Sequence, residues 1–312
     1  MERTVLPPHP GLIGSEAIAP EFIQEDKLKK FRPGFSAAWL VAPSAIWLVL
    51  FLVLPLIFIV VISFWNYSLS GMVPGFTLEH YVEYFTSSIY SRTLLTTLRY
   101  TFTTMVFCLL LAYPIAYFLA LVVKTYKWQM SLFLVCMVPF WTSYLIRAIA
   151  WVPMLGRRGL LNNIMIDFGI IEKPATFLLF SEFALTMALV QLYVVLCIGP
   201  MFFSLAKIDK AIIEAARDMG ASSLQIFRQI ILPLSLPGVA IGMIFIFVMI
   251  MGEFATAVVV GGGKFSVVGT LINQYAATAN YPRAAVNAIF LMIGMMIGVV
   301  FIMKLVDIRK QL

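Results

Sequence analysis

Six long apolar runs divide the chain, and each is long enough to cross roughly 30 Å of hydrocarbon as a helix. None shows the alternation of apolar and polar positions that a membrane-spanning β-strand requires. The pattern therefore predicts an all-α polytopic membrane protein with six transmembrane helices, at about residues 39–63, 94–123, 130–153, 183–206, 237–260 and 284–303.

Composition supports this prediction. Of the 312 residues, 62% are hydrophobic and only 12% are charged, whereas soluble domains are about one quarter charged. The mean hydropathy of +0.96 excludes an ordinary soluble enzyme. The three cysteines lie singly in apolar runs and the two histidines lie far apart, so no metal site is predicted.

Basic residues indicate the orientation. Residues 1–38 are polar and proline-rich, which predicts a partly disordered tail before the membrane domain of residues 39–312. If this tail is cytoplasmic, 14 of the 22 basic residues lie inside and six lie outside. Lysine and arginine are retained on the cytoplasmic side, so both termini are predicted to be cytoplasmic. The net charge of +7 then reflects topology, and no nucleic-acid partner is expected.

One predicted cytoplasmic loop, residues 207–236, mixes apolar and charged residues and predicts two short helices joined at Gly220. Asp209 suits the cap of the first helix, and Ser222 with Gln225 forms a capping box for the second. We expect prolines to end the second helix and one apolar face to run along the first. The prolines are Pro233 and Pro237, and the face comprises Ile212, Ile213, Ala216 and Met219. A helix lying on the lipid surface would show the same face.

The same loop resembles the EAA signature of ATP-binding-cassette (ABC) importer permeases. The matching residues are Glu214, Ala215, Ala216, Gly220, Ile230, Leu232 and Pro233. The resemblance implies the type I permease fold. It also implies a coupling helix that docks in a groove of a cytoplasmic ATPase subunit, with the glutamate facing that partner.

Three further stretches are similar to the spermidine/putrescine permease subfamily. They are VPFWTSYLIR from Val138 to Arg147, LAYPIAYFLA from Leu111 to Ala120, and GEF followed by GGG between Gly252 and Gly263. The resemblance covers residues 39–307 and implies import of polyamines or related small cationic amines. Opines, amino-acid derivatives or other small organic solutes remain alternative substrates.

Energy must come from another chain, because no G-x-x-x-x-G-K followed by Ser or Thr occurs. The chain is therefore expected to be a transport subunit without an ATPase site or bound cofactor, and ATP and magnesium are used by the partner. The family implies a second homologous permease in a heterodimer, an ABC ATPase dimer and a periplasmic solute-binding protein, in the bacterial inner membrane. An ion-coupled secondary transporter and an intramembrane enzyme are the rival classes, and neither would need an ATPase.

Three ionisable residues lie inside predicted spans, where such residues are functional candidates. Arg99 lies near the outer end of its span, so its side chain can reach the headgroups. Arg147 and Glu253 lie at similar distances along the third and fifth spans, so they could meet at one depth. They either pair with each other, or Glu253 lines the path of a cationic amine. Trp141 and Tyr144 could supply aromatic faces to such a cation.

Small residues and prolines suggest packing and bending points in the spans. Gly294 and Gly298 form a G-x-x-x-G pair, whose usual role is close helix contact. Pro114, Pro139 and Pro153 weaken the hydrogen-bond ladder of their helices. Bending of the spans during gating is one hypothesis for these prolines.

Overall fold

The structure, a computed structural model, describes residues 35–68 and 71–306, with side chains from residue 41 onward. The predicted tail of residues 1–38 falls almost entirely outside the described residues. The chain divides into two units, residues 1–56 and residues 57–312. The described part of the first unit is helical throughout. The second unit contains a small β-hairpin and all the later helices.

Helices dominate the described residues, which confirms the all-α polytopic fold. In chain order they are α1 Phe35–Leu48, α2 Leu54–Ile62, α3 Glu79–Thr86, α4 Ser88–Tyr117, α5 Tyr126–Met137, α6 Tyr144–Leu155, α7 Leu160–Asp167, α8 Glu182–Ala206, α9 Lys210–Asp218, α10 Ser223–Ile226, α11 Leu232–Met251, α12 Ala255–Val259, α13 Val268–Ala277 and α14 Tyr281–Leu305. Three π-helical segments, Val49–Val53, Phe118–Val122 and Phe227–Ile231, and two 3₁₀ turns, Val138–Trp141 and Thr176–Leu178, adjoin them.

A short antiparallel hairpin was not predicted. Its strands are β1 Asn66–Ser68 and β2 Gly71–Val73, with Tyr67 opposite Met72. The hairpin follows the first long apolar helix. Its strands of three residues are too short to show the alternation of apolar and polar positions that predicts a β-strand.

Five continuous helices among the described residues are long and apolar enough to cross a membrane. They are Val41–Ile62, Ser88–Val122, Glu182–Ala206, Ser223–Met251 and Tyr281–Leu305. Each corresponds to one of the predicted spans. A sixth span is present only if a bent pair of helical stretches, Tyr126–Trp141 and Tyr144–Asp167, is counted as one.

The third predicted span is therefore not the continuous helix that we expected. Its two halves meet at 83°. Pro139 lies in the 3₁₀ turn that ends the first half, and Thr142 then adopts an extended backbone conformation. The Thr142 hydroxyl donates to the Pro139 carbonyl at 2.7 Å. A proline removes one helical hydrogen bond, and at this break the Pro139 carbonyl accepts hydrogen bonds from both the backbone N–H and the hydroxyl of Thr142.

The fifth predicted span also differs from the expectation at both ends. The helix begins at Ser223 and continues through Pro233 and Pro237, so these prolines do not end it. A π-helical segment, Phe227–Ile231, precedes Pro233, and such local adjustments of the hydrogen-bond pattern let a spanning helix accommodate the missing proline N–H. The helix then ends at Met251 and not near residue 260, so Glu253 lies in a loop.

The core lies around α8, which packs mainly against α4 and α11. Small residues allow the close approach of α8 and α11. A Cβ atom added to Gly238 would lie 2.5 Å from the Pro200 carbonyl oxygen, and one added to Gly242 would lie 3.1 Å from Cys197 Sγ. Close packing of this kind stabilises helix pairs in lipid, where apolar burial alone offers little.

The predicted G-x-x-x-G pair lies against α11, but its two members pack differently. A Cβ atom added to Gly298 would lie 2.2 Å from Cζ of Phe247, whereas one added to Gly294 would meet only the end of Met251, at 3.9 Å. The tight contact between α14 and α11 is therefore made at Gly298.

Candidate functional site

The loop of residues 207–236, here called the EAA segment, contains α9 and α10 as predicted. The Asp209 side chain caps α9 by accepting a hydrogen bond from the Ala211 N–H at 2.9 Å. Ser222 and Gln225 form the predicted capping box, with the Ser222 N–H donating to Gln225 Oε1 at 2.7 Å. Gly220 lies between the helices at φ +82°, a left-handed conformation that other residues adopt only with strain.

The apolar face of α9 is narrower than we predicted. Ile213 and Ala216 are buried against the membrane helices, whereas Ile212 is 48% exposed and Met219 is 82% exposed. A helix turns by about 100° per residue, so Ile212 and Met219 lie together at the edge of the buried stripe. They form an apolar strip that no described residue covers.

The motif residues of the EAA segment fall into two groups. Glu214, Ala215 and Gly220 are exposed, whereas Ala216 is buried. Ile230, Leu232 and Pro233 are partly buried where the second short helix continues into α11. The second short helix therefore runs without interruption into a membrane-spanning helix, and α9 is joined to it through the turn at Gly220.

Glu253 is the buried carboxylate of the membrane domain, only 8% exposed. Both of its oxygens have partners. Oε2 accepts a short hydrogen bond from the Tyr193 hydroxyl, and Oε1 accepts from the backbone N–H of Thr256 at 2.8 Å. The side chain therefore holds the start of α12 and links it to α8.

Arg147 does not form the ion pair with Glu253 that the sequence had suggested. Within the described part of the chain, its Nη1 donates to the Leu192 carbonyl at 3.3 Å, and its Nε is buried without a partner. Tyr193 is in electrostatic range of both Arg147 and Glu253. Arg147 and Glu253 therefore bind two consecutive residues of α8, Leu192 and Tyr193, and not each other.

The two candidate aromatic residues are separated by the break in the third span. Trp141, in the 3₁₀ turn, is 75% exposed. Tyr144 begins α6, is partly buried and is in electrostatic range of Glu253. Tyr144 therefore lies near the buried carboxylate, whereas Trp141 lies in an exposed turn.

Sequence reasoning missed Tyr193 as a site residue. It lies in the middle of an apolar helix, where tyrosine is usually a packing residue. The available signal was its hydroxyl, because a buried tyrosine hydroxyl usually finds a hydrogen-bond partner.

Arg99 also has a protein partner and does not simply extend toward headgroups. It forms an ion pair with Glu182, and both side chains are 58% exposed. Among the residues that the structure describes, no group of three or more His, Cys, Asp or Glu side chains could hold a metal ion.

Comparison with known proteins gives relatives that extend over most of the chain. The chain is 35% identical over 251 residues, covering 80% of it and 90% of the relative, to the spermidine/putrescine transport system permease protein PotB of Escherichia coli strain K12. It is 33% identical, over 80% of this chain and 86% of the relative, to PotB of Haemophilus influenzae strain KW20.

A solved structure shares the fold. A bacterial alginate ABC transporter, crystallised with an alginate pentasaccharide-bound periplasmic protein, matches with a TM-score of 0.70 at 20% identity, over 86% of this chain and 93% of that chain. The family model described as "binding-protein-dependent transport system inner membrane component" matches residues 99–311. The chain therefore belongs to this family, the membrane-spanning permease subunits of ABC importers.

Proposed function

We propose that this chain forms half of the translocation pathway for polyamines, spermidine and putrescine or related small cationic amines. The observation that carries this proposal is the 35% identity to a spermidine/putrescine permease, which extends over 90% of that relative. The EAA segment and the buried carboxylate Glu253 support it from the structure. The first offers a surface for an energy-supplying partner, and the second offers a negative charge at a depth where a cation must pass.

The proposal includes the other subunits of the importer. The exposed residues Glu214, Ala215 and Gly220, with the apolar strip of Ile212 and Met219, form the surface that an ABC ATPase dimer contacts. A second homologous permease completes the pathway, and a periplasmic binding protein delivers the solute. The chain itself hydrolyses no ATP and binds no cofactor. It lies in the bacterial inner membrane with both termini in the cytoplasm.

Transport begins, in this proposal, from the arrangement around Glu253. In the structure the carboxylate is closed off by Tyr193 and Thr256. ATP-driven closure of the ATPase dimer pushes on α9, and the movement passes through α10 into α11, which ends two residues before Glu253. Displacement of α11 relative to α8 separates Glu253 from Tyr193. The freed carboxylate then attracts an ammonium group, with Tyr144 as its aromatic neighbour and Arg147 limiting how far a cation moves toward α6.

The experiment is solute uptake by the complete importer in proteoliposomes, with the cognate binding protein and ATP. Putrescine, spermidine and a neutral solute of similar size are compared, and a complex with a catalytically inactive ATPase measures ATP-independent leakage. We expect ATP-dependent uptake of the amines but not of the neutral solute. ATP-dependent uptake of the neutral solute alone would reject the polyamine assignment, and uptake that continues with the inactive ATPase would favour an ion-coupled transporter.

A second comparison tests the pathway residue. Glu253→Gln preserves the shape of the side chain and removes its charge. We expect this variant to lose amine uptake by about tenfold or more, in line with the loss of one close charge interaction, while the complex stays assembled. Amine uptake equal to wild type would leave Glu253 as a structural residue only.

A further inference from the structure

A cavity of about 500 Å³ lies between the EAA segment and the chain that follows α4. Its polar wall carries three basic side chains, one carboxylate and two hydroxyl groups. These are Lys124, Lys210, Arg217, Glu214, Ser223 and Tyr117. Tyr117 also packs against Phe227, and none of the six residues lines a cavity with Glu253.

The charges of the residues that line this cavity are not balanced among themselves. Lys124, Lys210 and Arg217 leave a net charge of +2 after Glu214 is subtracted. The two ion pairs of the described residues, Arg99 with Glu182 and Arg283 with Glu83, involve none of them. Like charges gathered around one cavity repel each other and attract an anion to the space between them.

The cavity lies next to the ends of two membrane-spanning helices. Lys124 follows, by two residues, the end of the apolar helix Ser88–Val122. The apolar wall includes Val122, which is half exposed, and Ile231, which belongs to the span Ser223–Met251. The cavity therefore has a basic side where the chain leaves the membrane and an apolar side that continues into the hydrocarbon region.

We propose that this cavity binds the phosphate group of an anionic phospholipid of the cytoplasmic leaflet. The ammonium groups and the guanidinium contact the phosphate oxygens, the hydroxyl groups of Ser223 and Tyr117 donate to them, and an acyl chain lies along Val122. Basic pockets between membrane helices on the cytoplasmic side commonly bind such headgroups. The lipid thereby joins α9 to the end of the second span, and it stiffens the connection through which the EAA segment moves the membrane helices.

The apolar wall favours a lipid over a free anion. The location at the membrane boundary favours a lipid over an acidic protein loop. Each of these two alternative occupants predicts a different experimental result. Inorganic phosphate, unlike a lipid, would compete for the site from solution. A protein loop would fill the cavity in the complete complex and exclude the lipid from it.

The test is lipid binding to the complete, delipidated importer in detergent, measured by native mass spectrometry during titration with phosphatidylglycerol or zwitterionic phosphatidylcholine. The variant Lys124→Gln/Lys210→Gln removes two charges from the cavity. The control Lys127→Gln/Lys207→Gln removes two charges from the same two stretches of chain but from side chains that do not line it. A third variant, Lys124→Arg/Lys210→Arg, keeps the charge.

We expect the cavity variant to bind phosphatidylglycerol about 25-fold more weakly than wild type, since each of the two basic residues removed near the membrane surface contributes about fivefold. The control and the arginine variant should bind like wild type, which also shows that the fold tolerates changes at these positions. Equal binding by the cavity variant and the control would overturn the proposal. So would displacement of the lipid by millimolar inorganic phosphate, or binding no tighter than that of phosphatidylcholine. This test involves no transported solute, so its outcome is independent of the polyamine assignment.

Discussion

The hydroxyl of Tyr193 donates a hydrogen bond to Oε2 of Glu253, sixty residues later in the chain. This contact joins the middle of α8 to the loop after α11 and satisfies a buried carboxylate without a positively charged partner. The backbone N–H of Thr256 supplies the second hydrogen bond. The arrangement explains how the described part of the membrane domain buries an acidic side chain without the ion pair that was one of the two arrangements expected from the sequence.

Removing the Tyr193 hydroxyl should destabilise the membrane domain. In Tyr193→Phe one oxygen of Glu253 stays buried without a partner, at a cost of about 1–3 kcal/mol. Thermal unfolding of the purified complex in detergent should show a lower midpoint. Tyr144→Phe is the matched control, because the Tyr144 hydroxyl makes no hydrogen bond among the described residues. Equal midpoints for the two variants would contradict a stabilising role for the Tyr193–Glu253 bond.

Gly220→Trp should uncouple ATP hydrolysis from uptake. The new side chain projects from the exposed surface of the EAA segment, where the ATPase is proposed to dock, and the left-handed φ of +82° adds strain of about 1–2 kcal/mol. We expect uptake to fall by at least about tenfold, equivalent to about 1.4 kcal/mol of lost coupling, while the protein remains inserted. ATPase activity and uptake by the same proteoliposomes are the measurements.

Gly169→Trp provides a comparison with similar backbone strain. Gly169 has a φ of +70°, and nothing lies within 4 Å of a Cβ atom added there. It lies in a loop that the topology predicts to be periplasmic. If Gly169→Trp reduced coupling as much as Gly220→Trp, the effect would be one of backbone strain and not of the docking surface.

Gly298→Ala should weaken the packing of α14 against α11. Its new Cβ atom would lie 2.2 Å from Cζ of Phe247, a ring that is only 3% exposed and has little room to move. Overpacking of this kind costs about 1–3 kcal/mol, which thermal unfolding in detergent should detect. Gly294→Ala should have little effect, and Phe247→Leu should restore stability to Gly298→Ala. A Gly298→Ala protein as stable as wild type would show that this contact is not tight.

The two ion pairs of the described residues should differ in their contribution to stability. Arg283 approaches Oε2 of Glu83 with Nε at 3.0 Å and Nη2 at 2.9 Å, and both side chains are about one third exposed. Arg99 and Glu182 are each 58% exposed. Exposed pairs contribute about 0–1 kcal/mol, so Arg99→Gln should be nearly neutral. Arg283→Gln should cost about 1–2 kcal/mol, since its hydrogen bonds are charge-assisted.

The same pair of substitutions gives the experiment an internal check. Any difference in unfolding midpoint between Arg99→Gln and wild type should disappear at high salt, because salt screens exposed charges. The deficit of Arg283→Gln should persist at high salt. An opposite order of the two variants would show that exposure does not rank these pairs.

Local features of the candidate site were predictable from the sequence. The cap at Asp209, the left-handed glycine at Gly220 and the capping box of Ser222 and Gln225 all depend on hydrogen bonds and backbone angles within a few residues. Such interactions need no knowledge of the rest of the molecule. Of the four residues predicted for the apolar face of α9, only Ile213 and Ala216 are buried. The membrane helices leave no room for Ile212 and Met219.

The all-α polytopic fold, the approximate positions of the apolar spans and the segment with the EAA motif follow from the sequence, because hydropathy and local hydrogen bonding depend on consecutive residues. Three features became visible only with the folded chain: the 83° break in the third span, the hydrogen bond between Tyr193 and Glu253, and the cavity lined by three basic residues. These depend on which distant helices come into contact, and in lipid that choice is made by shape and by the pairing of buried polar groups.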